Sequence, residues 1–191
     1  MTEEQLITAV FKRAANAETR TDYARLRPRK IGPPATPELM KATEQKLGFT
    51  LHPLHRRLLE TVGNGGFGPG DGLVGTANGS LDVEGRSFSE LREVLWPNTN
   101  VKLVPLCDWG DGIWSCIDAA TGSVITMSES GLFDIGQSLQ SWLEEWVAGE
   151  NLWQRMVVLG TTSILNPLTK EHVAVQAVIG LKGERYVPGA R

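Results

Sequence analysis

Apolar residues recur at a helical period in the first third of this chain and at a β-type period afterwards. The change falls on a glycine-rich corner. Upstream of it, three helices are predicted. Leu6, Ala9, Val10 and Ala14 share one face of the first, and T-E-E-Q places Gln5 three residues after a Thr2 cap. The second opens at a Thr36 cap with Pro37 in its first turn, and stops at Gly48 with Phe49 folding back as an apolar lid. The third starts at Pro53, buries Leu54, Leu58, Leu59 and Val62, and ends at Gly63.

Between Asn64 and Gly72 lie five glycines and a proline, so no regular element can run through the corner. Beyond it, Leu73–Thr76, Val101–Leu106, Gly112–Asp118 and Val124–Met127 read as short strands. In the third of these, Ile113, Ser115 and Ile117 alternate with Trp114, Cys116 and Asp118. The turn DAATGS predicts a hairpin between the last two. Phe88, Leu91 and Leu95 mark a short helix within Leu81–Trp96. Leu139, Trp142, Leu143, Trp146 and Val147 mark a longer one over Leu139–Ala148, between Ser138 and Gly149. HVAVQAVI, near the end, reads as a strand, either an added edge or one paired by a partner. The tail after it is expected to be loose. The divisions that result are an N-terminal helix and basic linker over residues 1–35, a core over 36–150 and an extension over 151–191.

Charge is unevenly spread. Residues 1–63 carry eleven Lys/Arg against seven Asp/Glu, residues 64–151 three against thirteen, and residues 152–191 five against two. An excess of ten negative charges in the middle favours basic partners and disfavours nucleic acid; the alternative is a set of solvated loops and sheet edges. Asn16 to Lys30 is basic and interrupted by Pro28. With Tyr23 alone as an aromatic it reads as a solvated linker rather than a nucleic-acid arm. No run approaches the roughly 18 apolar residues of a membrane span. The start lacks a secretory pattern and the chain has two cysteines, which together point to a reduced, cytoplasmic protein.

Three constellations look like chemistry and are set aside. Gly63, Gly65 and Gly68 satisfy G-x-G-x-x-G, but a helix precedes them and no helix opens after them, so no N-terminal amides are placed for a pyrophosphate. His52 and His55 are three apart and Cys107 and Cys116 nine apart, neither a zinc spacing. Surface or helix-cap histidines and buried thiols account for them. Asp108 and Asp111 flank Trp109-Gly110. Such carboxylates could do general acid–base work or could shape a tight loop, in which case Trp109 and Trp114 pack the sheet and the aspartates face water. No cofactor and no metal are expected.

The order of a helix carrying Glu44, Leu47, Gly48 and Phe49, then Leu51, Pro53, Leu58 and Leu59, then Asn64, Gly65, Gly66 and Phe67, then Trp109, Gly110 and Asp111 with Asp118 and Gly122, and last Trp142 and Trp146, resembles the SUKH superfamily. That superfamily is named for bacterial immunity proteins and fungal Smi/Knr cell-wall synthesis regulators. The resemblance covers roughly one small domain, residues 36–150. It implies an α+β fold with helices packed on a predominantly antiparallel sheet, in agreement with the change of period. It also implies a non-enzymatic binding protein, an immunity protein that neutralises a polymorphic toxin of nuclease or deaminase type by stoichiometric binding. A Smi/Knr-like regulatory scaffold is the alternative, and a hydrolase using Asp108 and Asp111 a third. Asp71, Asp82, Glu84, Asp108 and Asp111, all in predicted loops, are the candidate contacts for a basic toxin domain. Asn64, Gly65, Gly66, Phe67, Trp109 and Gly110 are expected to be structural.

Overall fold

A computed structural model describes residues 1–23, 29–97 and 99–188. Pro28 and the middle of the basic linker lie outside the described residues, as do the last three positions. The helical half follows its local signals. In α1 (Glu3–Ala15) the Gln5 amide donates to the Thr2 hydroxyl at 3.3 Å and the Thr2 amide to the Gln5 side chain at 2.8 Å, a reciprocal cap. In α2 (Pro37–Leu47) the Thr36 hydroxyl accepts from the Leu39 amide, and Gly48 ends the helix at φ 79°. Helix α3 (Pro53–Thr61) starts at His52, whose side chain makes no cap bond. Helix α4 (Phe88–Leu95) is capped by Ser87 and Glu90, and buries Phe88 and Leu91.

The β half is an antiparallel sheet of β1 (Leu103–Gly110), β2 (Ile113–Asp118), β3 (Ser123–Ser128) and β4 (Gly131–Ser138), in that order, with β7 (Glu184–Arg185) on the outer edge of β4. The Asp111-Gly112 turn between β1 and β2 has φ of 52° and 72°, the positive pair a two-residue hairpin of this hand requires. Helix α5 (Leu139–Ala148) follows β4. Its Leu139, Trp142, Leu143 and Trp146 are fully buried, and together they stabilise the fold by roughly 6–12 kcal/mol as an upper bound. Helix α6 (Leu152–Met156) leads into β5 (Val157–Leu165), which pairs only with β6 (His172–Leu181). The chain is therefore α+β, six helices and a mainly antiparallel set of strands among the described residues.

Several expectations are corrected. Leu73–Thr76 forms no strand, because its amides are divided: Leu73 donates to the Phe67 carbonyl and Val74 to the Leu106 carbonyl of β1, both at 2.7 Å, so a single bond reaches the sheet and no ladder forms. Strand β2 is buried along its whole length rather than on alternate residues. It is flanked by β1 and β3, and α6 covers Ser115, whose hydroxyl donates to the Met156 sulfur at 3.5 Å. HVAVQAVI forms β6, yet it pairs with β5 in a separate ribbon, and the added edge of the main sheet is β7 instead. The apolar core also runs past Asn151, since Leu152, Met156 and Val157 are buried in it. The tail is tied down through Tyr186, whose hydroxyl donates to Asp118 at 3.0 Å.

Candidate functional site

Asn64 organises the corner. Its side-chain oxygen accepts from the Thr76 amide at 2.8 Å, its side-chain nitrogen donates to the Thr76 hydroxyl at 2.9 Å, and its carbonyl accepts from Ser80 at 2.8 Å. Gly32, Gly75 and Gly79 crowd that carbonyl so closely that a Cβ on any of them would lie within 2.5 Å of it. Phe67 is fully buried beneath the turn. The linker threads the same corner: Thr21 forms a parallel bridge to Gly68, and the Gly70 amide donates to the Asp22 carboxylate at 2.8 Å. The corner is thus a packed joint with its polar groups turned on one another.

Two of the candidate contacts, Asp71 in the corner and Asp82 in the turn before α4, are buried. Asp71 is 1% exposed and is ion-paired with Arg29 from the linker, whose guanidinium also donates to the Leu81 carbonyl. Asp82 is 7% exposed; it accepts from the Arg86 amide at 2.7 Å and pairs with the Arg86 guanidinium at the same distance. Both carboxylates are turned onto an arginine of the same chain. Glu84 is exposed but shares Arg86.

Asp108 and Asp111 are placed together at one end of the sheet. Asp108 is half-buried and its carboxylate accepts from the Gly110 amide at 2.8 Å, while Asp111 stands exposed in the β1–β2 turn. Because strands β1 to β4 run up and down in order, the β3–β4 turn lies at the same end and brings exposed Glu129 there. Sequence reasoning missed Glu129, because the turn is recognisable only once β4 is known to pair with β3. Trp109, behind these carboxylates, is buried and ties three segments together. Its indole N–H donates to the Ser115 hydroxyl at 2.9 Å, its carbonyl accepts from the Tyr23 hydroxyl at 3.2 Å, and its ring lies 6.0 Å from that of Trp153 in α6.

Much of the middle segment's negative charge is answered from outside it. Glu93 meets Lys46, Glu144 meets the terminal ammonium, and Glu145 and Glu150 meet Arg155. What remains at the turn end, Asp108, Asp111 and Glu129, has no ion pair among the described residues. At the opposite end, a cleft of about 590 Å³ is lined by Lys102, Asp118, Asp134, Glu184, Arg185 and Tyr186, among others.

The other constellations resolve into structure. His55, expected at a surface or cap, is fully buried against Phe88, and burial with nearby His52 pushes its pKa down to about 3. Cys107 and Cys116 are free and buried, and burial pushes both thiols up. Among the described residues no three His, Cys, Asp or Glu side chains converge as a metal would need, and no helix is long and apolar enough to cross a membrane.

Residues 18–148 match the SUKH_5 family model, described as SMI1-KNR4 cell-wall. The chain belongs to the SUKH family. No curated protein and no solved structure matches it. The SUKH match begins well upstream of the Thr36 cap, where the resemblance read from motifs starts. The reason is physical: Thr21, Asp22 and Arg29 are built into the SUKH corner through Gly68, Gly70 and Asp71.

Proposed function

We propose that this SUKH-family protein works without catalysis, as an immunity protein that occludes a basic toxin domain of nuclease or deaminase type by stoichiometric binding. The observation that carries this reading is the cluster at the turn end of the sheet. Asp111 and Glu129 are exposed in the turns of two hairpins with Asp108 half-buried beside them, and none of the three has an ion pair among the described residues, whereas buried Asp71 and Asp82 are each paired with an arginine. Carboxylates held in this way steer a cationic partner and raise its association rate. Asp108 and Asp111 act in this reading as a turn-former and a surface charge rather than as an acid–base pair, since Asp108 is engaged by the Gly110 amide.

Co-expression with a toxin encoded beside the gene tests it. Protection together with a one-to-one complex supports the reading, and neither protection nor complex removes it. A second reading, a regulatory scaffold, is favoured by the cell-wall description of the matching family model. It calls for a groove or edge that takes a peptide, and hence a partner affinity nearly independent of salt. A steep salt dependence supports the toxin.

A further inference from the structure

Strands β1 to β4 give the main sheet two outer edges, and the two are closed in different ways. The edge of β1 is sealed by the corner: Val74 donates to the Leu106 carbonyl at 2.7 Å and Asp71 to the Asp108 carbonyl at 3.0 Å. The edge of β4 has no such cover. The SUKH match ends at residue 148, so within the matched stretch β4 is the outermost strand.

Part of the β4 edge is unfit for pairing. Ser123 lies opposite Ser138 and Ile125 opposite Asp134, so Ile135, Gly136 and Gln137 bulge out against Val124 alone, with Gly136 at φ 71°. Such a bulge bends the strand and interrupts its ladder. The straight stretch that remains, Leu132 to Asp134, is the one β7 covers. The Tyr186 amide donates to the Leu132 carbonyl at 2.9 Å, and Asp134 lies opposite Glu184. By the alternation of an antiparallel ladder, Leu132 and Asp134 turn their backbone groups to β7, and Phe133 turns its own to β3.

The hold of β7 is slight. It is two residues long, and both Glu184 and Arg185 are exposed. Val187 beyond them is also exposed. The anchor is Tyr186, whose hydroxyl reaches Asp118 at 3.0 Å. The entry is Gly183, at φ 108°, where a Cβ would lie 2.3 Å from the Asp134 carbonyl oxygen, a backbone atom. Just before it, Lys182 is tied to α6, donating from its amide to the Met156 carbonyl at 2.7 Å and from its ammonium to the Gln154 carbonyl at 2.8 Å. A terminal segment held by so few bonds opens locally, at a free energy below that of global unfolding.

We infer that β7 is a releasable guard strand. It hinges at Gly183, latches through Tyr186 onto Asp118, and keeps the pairing-competent stretch of the β4 edge from joining another chain. Uncovered backbone groups on a straight edge are a template for any extended segment. With the strap closed, the groups of Leu132 and Asp134 already have partners in the same chain. With it open, the SUKH sheet would end on β4, and the bulge alone would blunt its edge. The extension after residue 148 thus supplies what the matched stretch lacks on that side.

Residue-resolved hydrogen exchange on the full-length protein tests the release. The amides of Asp134, Glu184 and Tyr186 are expected to exchange together, about tenfold or more faster than those of Ile117 and Thr126, which lie in strands paired on both sides. Tyr186→Phe keeps the ring and removes the latch. The same three amides should then exchange about tenfold faster again, with Ile117 and Thr126 unmoved. Gly183→Ala takes the strap off β4. At low concentration the Asp134 amide loses its protection while helical circular dichroism is retained, and light scattering shows self-association that rises with concentration above that of the native chain. Exchange at Asp134 that matches Ile117 in the native chain overturns the inference, because the strap then opens only with the whole fold. So does a Tyr186→Phe chain with unchanged exchange, or a Gly183→Ala chain that frees Asp134 without any added self-association.

Discussion

The carboxamide of Asn64 holds Thr76 twice, accepting from its amide at 2.8 Å and donating to its hydroxyl at 2.9 Å, with all four groups out of water. The two residues are twelve apart and bracket the whole glycine turn, so this clasp sets the exit direction of the chain into the β half. Asn64→Ala leaves the buried Thr76 amide without an acceptor and should cost about 2–4 kcal/mol, as lost hydrogen bonds plus the desolvation of an unpaired N–H. Thr76→Val keeps the amide bond, loses the hydroxyl, and should cost about 1–2 kcal/mol. Urea unfolding of the two variants reads the difference directly.

Two glycines with nearly the same backbone should respond differently to alanine. Gly48 and Gly66 have φ of 79° and 85°. A Cβ on Gly48 meets nothing within 4 Å, so only the left-handed backbone opposes it, at about 1 kcal/mol. A Cβ on Gly66 would lie 2.1 Å from the Lys30 carbonyl oxygen, a backbone atom of the linker that cannot swing aside. Gly66→Ala should therefore lose at least about 3 kcal/mol, seen as a fall in the urea midpoint far larger than that of Gly48→Ala.

The contrast between those positions also shows what the sequence could carry. The Thr2–Gln5 cap, the Thr36–Gly48 limits and the α5 stripe depend on residues within a turn or two of each other, so spacing alone reveals them. Asp71 could not be read in this way. Its partner Arg29 lies 42 residues upstream, in a stretch that composition marks as solvated linker, and only the folded corner brings them together. Strand β4 escaped notice because Gly131, Asp134 and Gly136 interrupt any alternation. The pairing with β3 makes it a strand, and with it the β3–β4 turn that presents Glu129. Leu73–Thr76 failed in the opposite sense, with strand-like composition but only its Val74 amide bonded to β1, the Leu73 and Thr76 amides being held by Phe67 and Asn64 within the corner.

Buried His55 makes the fold acid-sensitive. Its pKa is lowered from about 6.5 when exposed to about 3 in the fold, so the unfolded chain binds a proton that the folded one refuses. Stability from this group is intact above pH ~6.5 and declines as pH falls toward 3, by roughly 1 kcal/mol per pH unit. His55→Leu removes the titration. Its unfolding free energy should change less between pH 7 and pH 5 than that of the native chain, by about 1–2 kcal/mol. An unchanged slope would place the titrating group elsewhere.

The internal and external carboxylates should separate cleanly. Asp71→Ala leaves the Arg29 guanidinium unpaired beside a packed corner and should cost roughly 3–5 kcal/mol, visible as a lower unfolding temperature without any partner present.

Asp111→Lys with Glu129→Lys alters two exposed turns, and because Asp111 holds a left-handed φ of 52° that lysine suits less well, stability should fall by about 1 kcal/mol, leaving the fold intact. Its effect belongs to encounter. Reversing two charges at the turn end reverses the local field a cationic domain would follow, and at low salt the association rate with a basic toxin should fall about tenfold or more. The loss should shrink as the Debye length drops to ~3 Å near 1 M salt, because steering acts over distances that ions screen. An association rate that ignores both the substitutions and the salt would mean that the partner docks by shape, and would move the contact surface from these turns to a groove or sheet edge.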